Sequence, residues 1–149
     1  MKIQKCIILI ITVFFTYSCK TSSSIISIND TRYFKETPKI VSRDDRYFVK
    51  WIYADNSQIP LFYMLTKSEI VNDTLQIYIP VTSSSGNLKG KYQFDEITSE
   101  TKKNLVRQNK VVWREPNNTL IKLKVEEMSL DDAKILMKIW KGYNSKEPF

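Results

Sequence analysis

Leu75, Ile77, Ile79 and Val81 alternate with Gln76, Tyr78 and Pro80. A strict period of two suits only a strand with one buried face, so this stretch commits the chain to a sheet. The same logic applies upstream. Tyr47-Phe48-Val49-Lys50-Trp51-Ile52-Tyr53 is rich in aromatic and β-branched residues, with Tyr47, Val49, Trp51 and Tyr53 on one face. Asp55-Asn56-Ser57 reads as a turn, and Ile59 to Thr66 as the return strand, with Pro60 near its start where a missing N–H does least harm. Val71-Asn72-Asp73 turns the chain again, Ser83-Ser84-Ser85-Gly86-Asn87 is a loop, and Lys91 to Ile97 reads as a further strand. Val111 to Arg114 and Thr119 to Glu126 flank Glu115-Pro116-Asn117-Asn118, a sequence suited to a tight reversal.

Two segments carry a helical period instead. Ser99 to Gln108 suits a short helix with Ser99 as cap and Glu100 in its first turn. Near the C-terminus, Ser129 precedes Asp131 and Asp132, where a helix dipole favours anions, and Ser129-x-x-Asp132 approximates a capping box. Ala133, Leu136, Met137 and Trp140 follow at i, i+3, i+4, i+7, with Lys134, Lys138 and Lys141 on the wetter side and Gly142 as the stop. The expected fold is α+β, mostly β: an antiparallel meander of about six strands, as a sheet or partly closed barrel, with the C-terminal helix packed on one face.

The first 18 residues have a different character. Lys2 and Lys5 give a positive start, Ile7 to Phe15 form an apolar core, and Thr16-Tyr17-Ser18 lead into Cys19. That is the pattern of a secretory signal. The apolar run falls well short of the ~20 residues needed to span a bilayer. A small residue directly before cysteine resembles the lipobox of bacterial lipoproteins, in the relaxed form found in Bacteroidetes. Thr16 stands where that motif usually has an aliphatic residue, and Tyr17 is bulkier than usual. The resemblance covers only these first residues. It implies cleavage before Cys19, acylation of the new N-terminal cysteine, and a stable membrane anchor, since two or three acyl chains hold where one holds only marginally. The domain reading that follows is residues 1–18 as signal peptide, 19–46 as anchor and tether, in which Ile25–Ile28 and Lys39–Ser42 each suit an edge strand, and 47–149 as a single β-rich domain. If residues 20–46 were all flexible, the tether would span about 30 Å.

Removing the first 18 of the 149 residues leaves 131, one domain of ordinary size, and lowers the formal charge from +7 to +5 by taking Lys2 and Lys5. Acidic residues are interspersed with the basic ones, and Lys102-Lys103 is the only adjacent basic pair, so no nucleic-acid partner is expected. The chain has no histidine, and its two cysteines are Cys6, inside the leader, and Cys19. After cleavage and acylation no thiol would remain for a disulfide, redox pair or thiolate zinc site. Ser-His-Asp and Cys-His catalysis and imidazole metal ligation are excluded by composition. No cofactor or metal is expected.

The chemistry left open is narrow. The acidic pairs Asp44-Asp45, Asp95-Glu96, Glu126-Glu127 and Asp131-Asp132 invite a carboxylate-based glycan hydrolase, but neighbours on a strand point to opposite faces and Asp131-Asp132 has a capping role. Tyr47, Trp51, Tyr53, Phe62 and Tyr63 form a candidate partner-binding set: facing outward they would make a stacking platform for a sugar or protein, facing inward they would be core. The expected function is therefore a non-enzymatic binding module of the cell envelope, membrane-bound through Cys19 at the periplasmic face of the outer membrane, with a protein or glycan partner. A small apolar-ligand carrier with a cupped sheet is the alternative.

Overall fold

The computed structural model describes residues 24–54, 64–81 and 91–144. Two hairpins of the same design organise it. Strands β1 (Phe34–Arg43) and β2 (Arg46–Tyr53) are joined by Asp44 and Asp45, with φ of 49° and 58°. Strands β3 (Lys67–Val71) and β4 (Thr74–Tyr78) are joined by Asn72 and Asp73, with φ of 48° and 56°. Two consecutive residues with positive φ make the hairpin turn whose twist matches that of the strands. Asn and Asp tolerate that region better than other side-chain-bearing residues.

The remaining elements are β5 (Tyr92–Glu96), α1 (Glu100–Arg107), β6 (Val111–Arg114), β7 (Leu120–Lys122), β8 (Val125–Glu127) and α2 (Leu130–Asn144). They complete two four-stranded sheets, ordered β5-β2-β1-β8 and β3-β4-β6-β7. The protein is thus mostly β with a C-terminal helix, and its sheets are not closed. Adjacent hairpin strands pair antiparallel as expected, but β1–β8 and β4–β6 pair in parallel, so both sheets are mixed.

Alternation decides what each face does. Val49, Trp51 and Tyr53 of β2, Leu75 and Ile77 of β4, and Val111 and Trp113 of β6 point between the sheets and form the main core with Ile26, Ile28, Phe34, Ile40 and Leu123. Trp113 and Leu75 are wholly buried there, and the rings of Phe34 and Trp113 meet edge to face at 6.1 Å. The opposite face of the first sheet supplies Val41 and Phe48 to a second cluster with Met128, Ala133 and Leu136. Helix α2 therefore covers that face, giving a sheet–sheet–helix layering. Ser129 Oγ accepts the N–H of Asp132 (3.1 Å) and caps the helix as its sequence indicates.

Several boundaries differ from the sequence reading. From Ser24 to Arg46 the described chain belongs to the fold: β1 is an interior strand between β2 and β8, not an edge strand, and Ile26, Ile28 and Phe34 are core. Pro38 is tolerated inside β1 because it sits at a register shift between Glu36 and Lys39, before pairing with β8 begins at Ile40. The strand expected over Thr119–Glu126 is two strands in different sheets. Leu123 drops into the core at the crossing, with 1 % exposure. Gly142 does not stop α2, which runs on to Asn144; Trp140 faces the sheet, its ring 6.4 Å from that of Phe48 and 4.2 Å from the Arg46 guanidinium, although it and Met137 stay partly exposed. The expected turn at Asp55–Ser57 and loop at Ser83–Asn87 lie outside the described residues, as does most of the expected strand over Ile59–Thr66.

Candidate functional site

Strand direction gives the sandwich two distinct ends. One end holds the start of β1, the end of β4 and the β6–β7 turn; the other holds the β1–β2 turn, the end of α1 and the β7–β8 crossing. A groove of about 660 Å³ opens at the second end. Its walls are Ser42 and Tyr47 from the first hairpin, Val106, Arg107 and Asn109 from α1 and the residue pair after it, and Lys122 to Val125 from the crossing segment. The crossing produces the groove: the chain leaves one sheet and joins the other, so the space beside it is not closed by pairing.

The floor is aliphatic and the rim is basic. Val106 and Leu123 are buried, and Val125 is half-buried. Arg107 is held rather than free: its guanidinium donates to Asp45 Oδ2 (2.6 Å) and Glu100 Oε1 (2.7 Å) and lies 5.9 Å from the Tyr47 ring centre. The Arg107 hydrogen bond keeps the Asp45 carboxyl below its usual range. Lys124 pairs with Glu126, which Lys39 also contacts, and these two cations hold the Glu126 carboxyl down to about 2, the Lys124 bond weighing most. Lys122 is exposed and makes no ion pair among the described residues.

A smaller hollow of about 120 Å³ lies at the β3–β5 side of the sandwich. Lys102 Nζ reaches Ser68 Oγ (2.9 Å), tying α1 to β3, while Asp95 accepts from the N–H (3.0 Å) and hydroxyl of Thr66. These groups satisfy one another, so the hollow is a polar seam between the two sheets.

Tyr47, Trp51 and Tyr53 share one face of β2, as their spacing requires, but that face is the inner one. Trp51 is 2 % exposed and Tyr53 8 %, so they are core and no outward stacking platform. Only Tyr47 reaches a surface, as part of the groove wall. Burial pushes the Tyr53 phenol up, and its hydroxyl accepts the Met64 N–H at 3.4 Å. Phe62 and Tyr63 lie outside the described residues, as does Cys19.

The carboxylates do not converge. Asp44 meets Arg43, Asp45 meets Arg107, Glu96 meets Arg46, Glu126 meets its two lysines, and Asp131 meets Lys134. Asp132, read from sequence as a capping residue, forms a buried ion pair with Lys50. Asp95 and Glu96 both border the small hollow but point to opposite faces of β5. Among the described residues no group of three or more acidic, cysteine or histidine side chains is placed to hold a metal ion. Among the described residues, Trp51, Trp113, Ile40, Leu75, Ile77, Ile79 and Leu123 pack between the sheets.

The groove escaped sequence reading because its residues come from three segments far apart in the chain. One signal was available: Lys122 and Lys124 bracket Leu123, whose alternation would place both lysines on one side, next to a forced bend if Leu123 is buried. Comparison of the chain with models of protein families, with curated proteins and with solved structures finds no match.

Proposed function

We propose that this chain is a cell-envelope lipoprotein, anchored through acylated Cys19 at the periplasmic face of the outer membrane, whose folded part binds a partner and performs no catalysis. The Lys2-to-Cys19 pattern supports the anchor. The groove at the β7–β8 crossing carries the binding half, because it joins an aliphatic floor to a basic rim with one uncommitted ammonium, Lys122. Buried apolar contact supplies affinity and rim charge steers approach. The aliphatic floor favours an apolar side chain of an envelope protein over the polar edges of a glycan.

Photo-crosslinking in intact cells tests the binding half. A photoreactive residue at Lys122 should give discrete adducts that are absent when the same residue stands at Lys67, on the outer face of the other end of the sandwich. Lys122→Glu with Lys124→Glu should weaken the partner's recovery several-fold. Equal adducts from both positions, or recovery untouched by the double substitution, would reject the groove as the binding surface.

A further inference from the structure

The fold takes hold of the chain very soon after Cys19. The carbonyl of Ser24 accepts the N–H of Val81 (2.7 Å), Ile25 bridges Pro80, and Ile26 donates to Ile79 O (2.9 Å). Trp113 Nε1 then donates to Ile26 O (3.2 Å), and Glu115 Oε1 accepts the N–H of Ile28 (2.9 Å). Ile26 and Ile28 are each 2 % exposed. The segment from Ser24 onward is thus part of the sandwich, fixed by backbone pairing, by a buried indole and by a buried carboxylate.

Ser24 stands five positions after Cys19. Whatever conformation those residues take, a chain extends at most about 3.6 Å per residue, so Ser24 cannot lie more than about 18 Å from the cysteine. This replaces the longer tether of the sequence reading. The end of the sandwich at Ser24 also presents aliphatic surface. Val81 is 38 % exposed, and Leu65, which follows Met64 where its N–H meets Tyr53 at the end of β2, is 53 % exposed.

We infer that this end, marked by Ser24, Leu65, Pro80 and Val81, is the membrane-facing surface of the domain, and that the groove is presented at the far end. The inference rests on the anchor at Cys19 proposed above. From Val81 back to Thr74 an extended chain covers about 23 Å. Leu75 N–H bonds Lys110 O (2.9 Å), which sets the end of α1 and the groove at that distance from the headgroups. A partner would then meet the groove from the aqueous side. The short leash confines the domain; the exposed aliphatic pair gives the near end a reason to rest on the interface.

The test uses full-length protein purified from membranes and reconstituted in phosphatidylethanolamine–phosphatidylglycerol vesicles that carry a nitroxide headgroup quencher. An acylated Cys19 has no free thiol, so Val81→Cys and Gln108→Cys can each be labelled singly with a fluorophore. Both positions are exposed, so the label replaces no core contact. The Val81 probe should be quenched at least three-fold more than the Gln108 probe. Inserting twenty Gly/Ser residues between Ser23 and Ser24 should cut that ratio. Equal quenching at the two positions, or stronger quenching at Gln108, would overturn the orientation. The intact mass of the same preparation separates the two failures: lipid present with equal quenching sinks the orientation alone, and lipid absent sinks the anchor with it.

Discussion

The ammonium of Lys50 lies 2.7 Å from Oδ1 of Asp132, with 9 % and 11 % of the two side chains exposed. Lys50 projects from the α2-facing side of β2, between Phe48 and Ile52, and Asp132 reaches down from the first turn of α2. The pair therefore fixes where the helix starts on the sheet. Removing one member strands a buried charge, whereas replacing both leaves an apolar contact. Asp132→Ala should destabilise the domain by about 3–5 kcal/mol, and the pair Lys50→Met with Asp132→Leu should return to within about 1 kcal/mol of wild type or exceed it. Urea denaturation of the three proteins measures this. A double variant no more stable than Asp132→Ala would mean the two side chains do not act as a unit.

Acid should loosen the β1–β8 edge before it unfolds the core. Lys124 and Lys39 hold the Glu126 carboxyl down to about 2, against an ordinary 4.5. Its folded value is depressed, so its contribution is fully present above about 4.5 and is lost as pH falls through about 2. Glu96 beside Arg46 and Asp45 beside Arg107 are shifted the same way. Stability should thus fall between about pH 5 and pH 2, and Glu126→Gln should flatten that fall by a few tenths to about 1 kcal/mol, since the carboxylate is only partly screened from solvent. Denaturation midpoints across that range provide the readout. A Glu126→Gln curve that parallels wild type would contradict the assignment.

The β3–β4 turn gives a backbone test. Asn72 at φ 48° occupies a region that suits Asn and Gly and penalises branched side chains. Asn72→Val should cost about 1–2 kcal/mol and Asn72→Gly only a few tenths. The side chain of Asn72 is exposed, so lost packing cannot account for a difference between the two. Equal midpoints would show that the turn is not held as described.

The start of the folded unit can be checked by truncation. A chain beginning at Tyr47 lacks β1 and leaves β2 and β8 without their shared neighbour, along with the buried Ile26, Ile28, Phe34 and Ile40. It should show no cooperative urea transition, while a chain beginning at Ser24 should unfold in one step. A folded Tyr47 fragment would refute the placement of β1 at the centre of its sheet.

Local pattern was legible and long-range pairing was not. The alternation from Leu75, the Asn72-Asp73 and Pro116–Asn118 reversals and the Ser129 cap all act within a few residues, and each appears where its chemistry demands. The role of β1 was hidden because a single strand's pattern does not reveal its neighbours. The parallel pairings join strands 36 and 85 positions apart, at Leu75 with Val111 and Ile40 with Val125, so no local signal specifies them. One clue was present and unread. Phe48 and Ile52 flank Lys50 on the second face of β2, which marks a strand covered on both sides and makes Lys50 a buried cation in need of an anion. The aromatic set at Tyr47, Trp51 and Tyr53 was correctly placed on one face; which face looks inward depends on the partner sheet, and that is not written in β2.

Metabolic labelling with palmitate tests the anchor on which the account depends. Wild-type protein expressed in its native envelope should incorporate the label and sediment with membranes, and Cys19→Ala should take up none and appear in the soluble fraction. Unlabelled wild-type protein, or a Cys19→Ala variant that still sediments with membranes, would contradict the account.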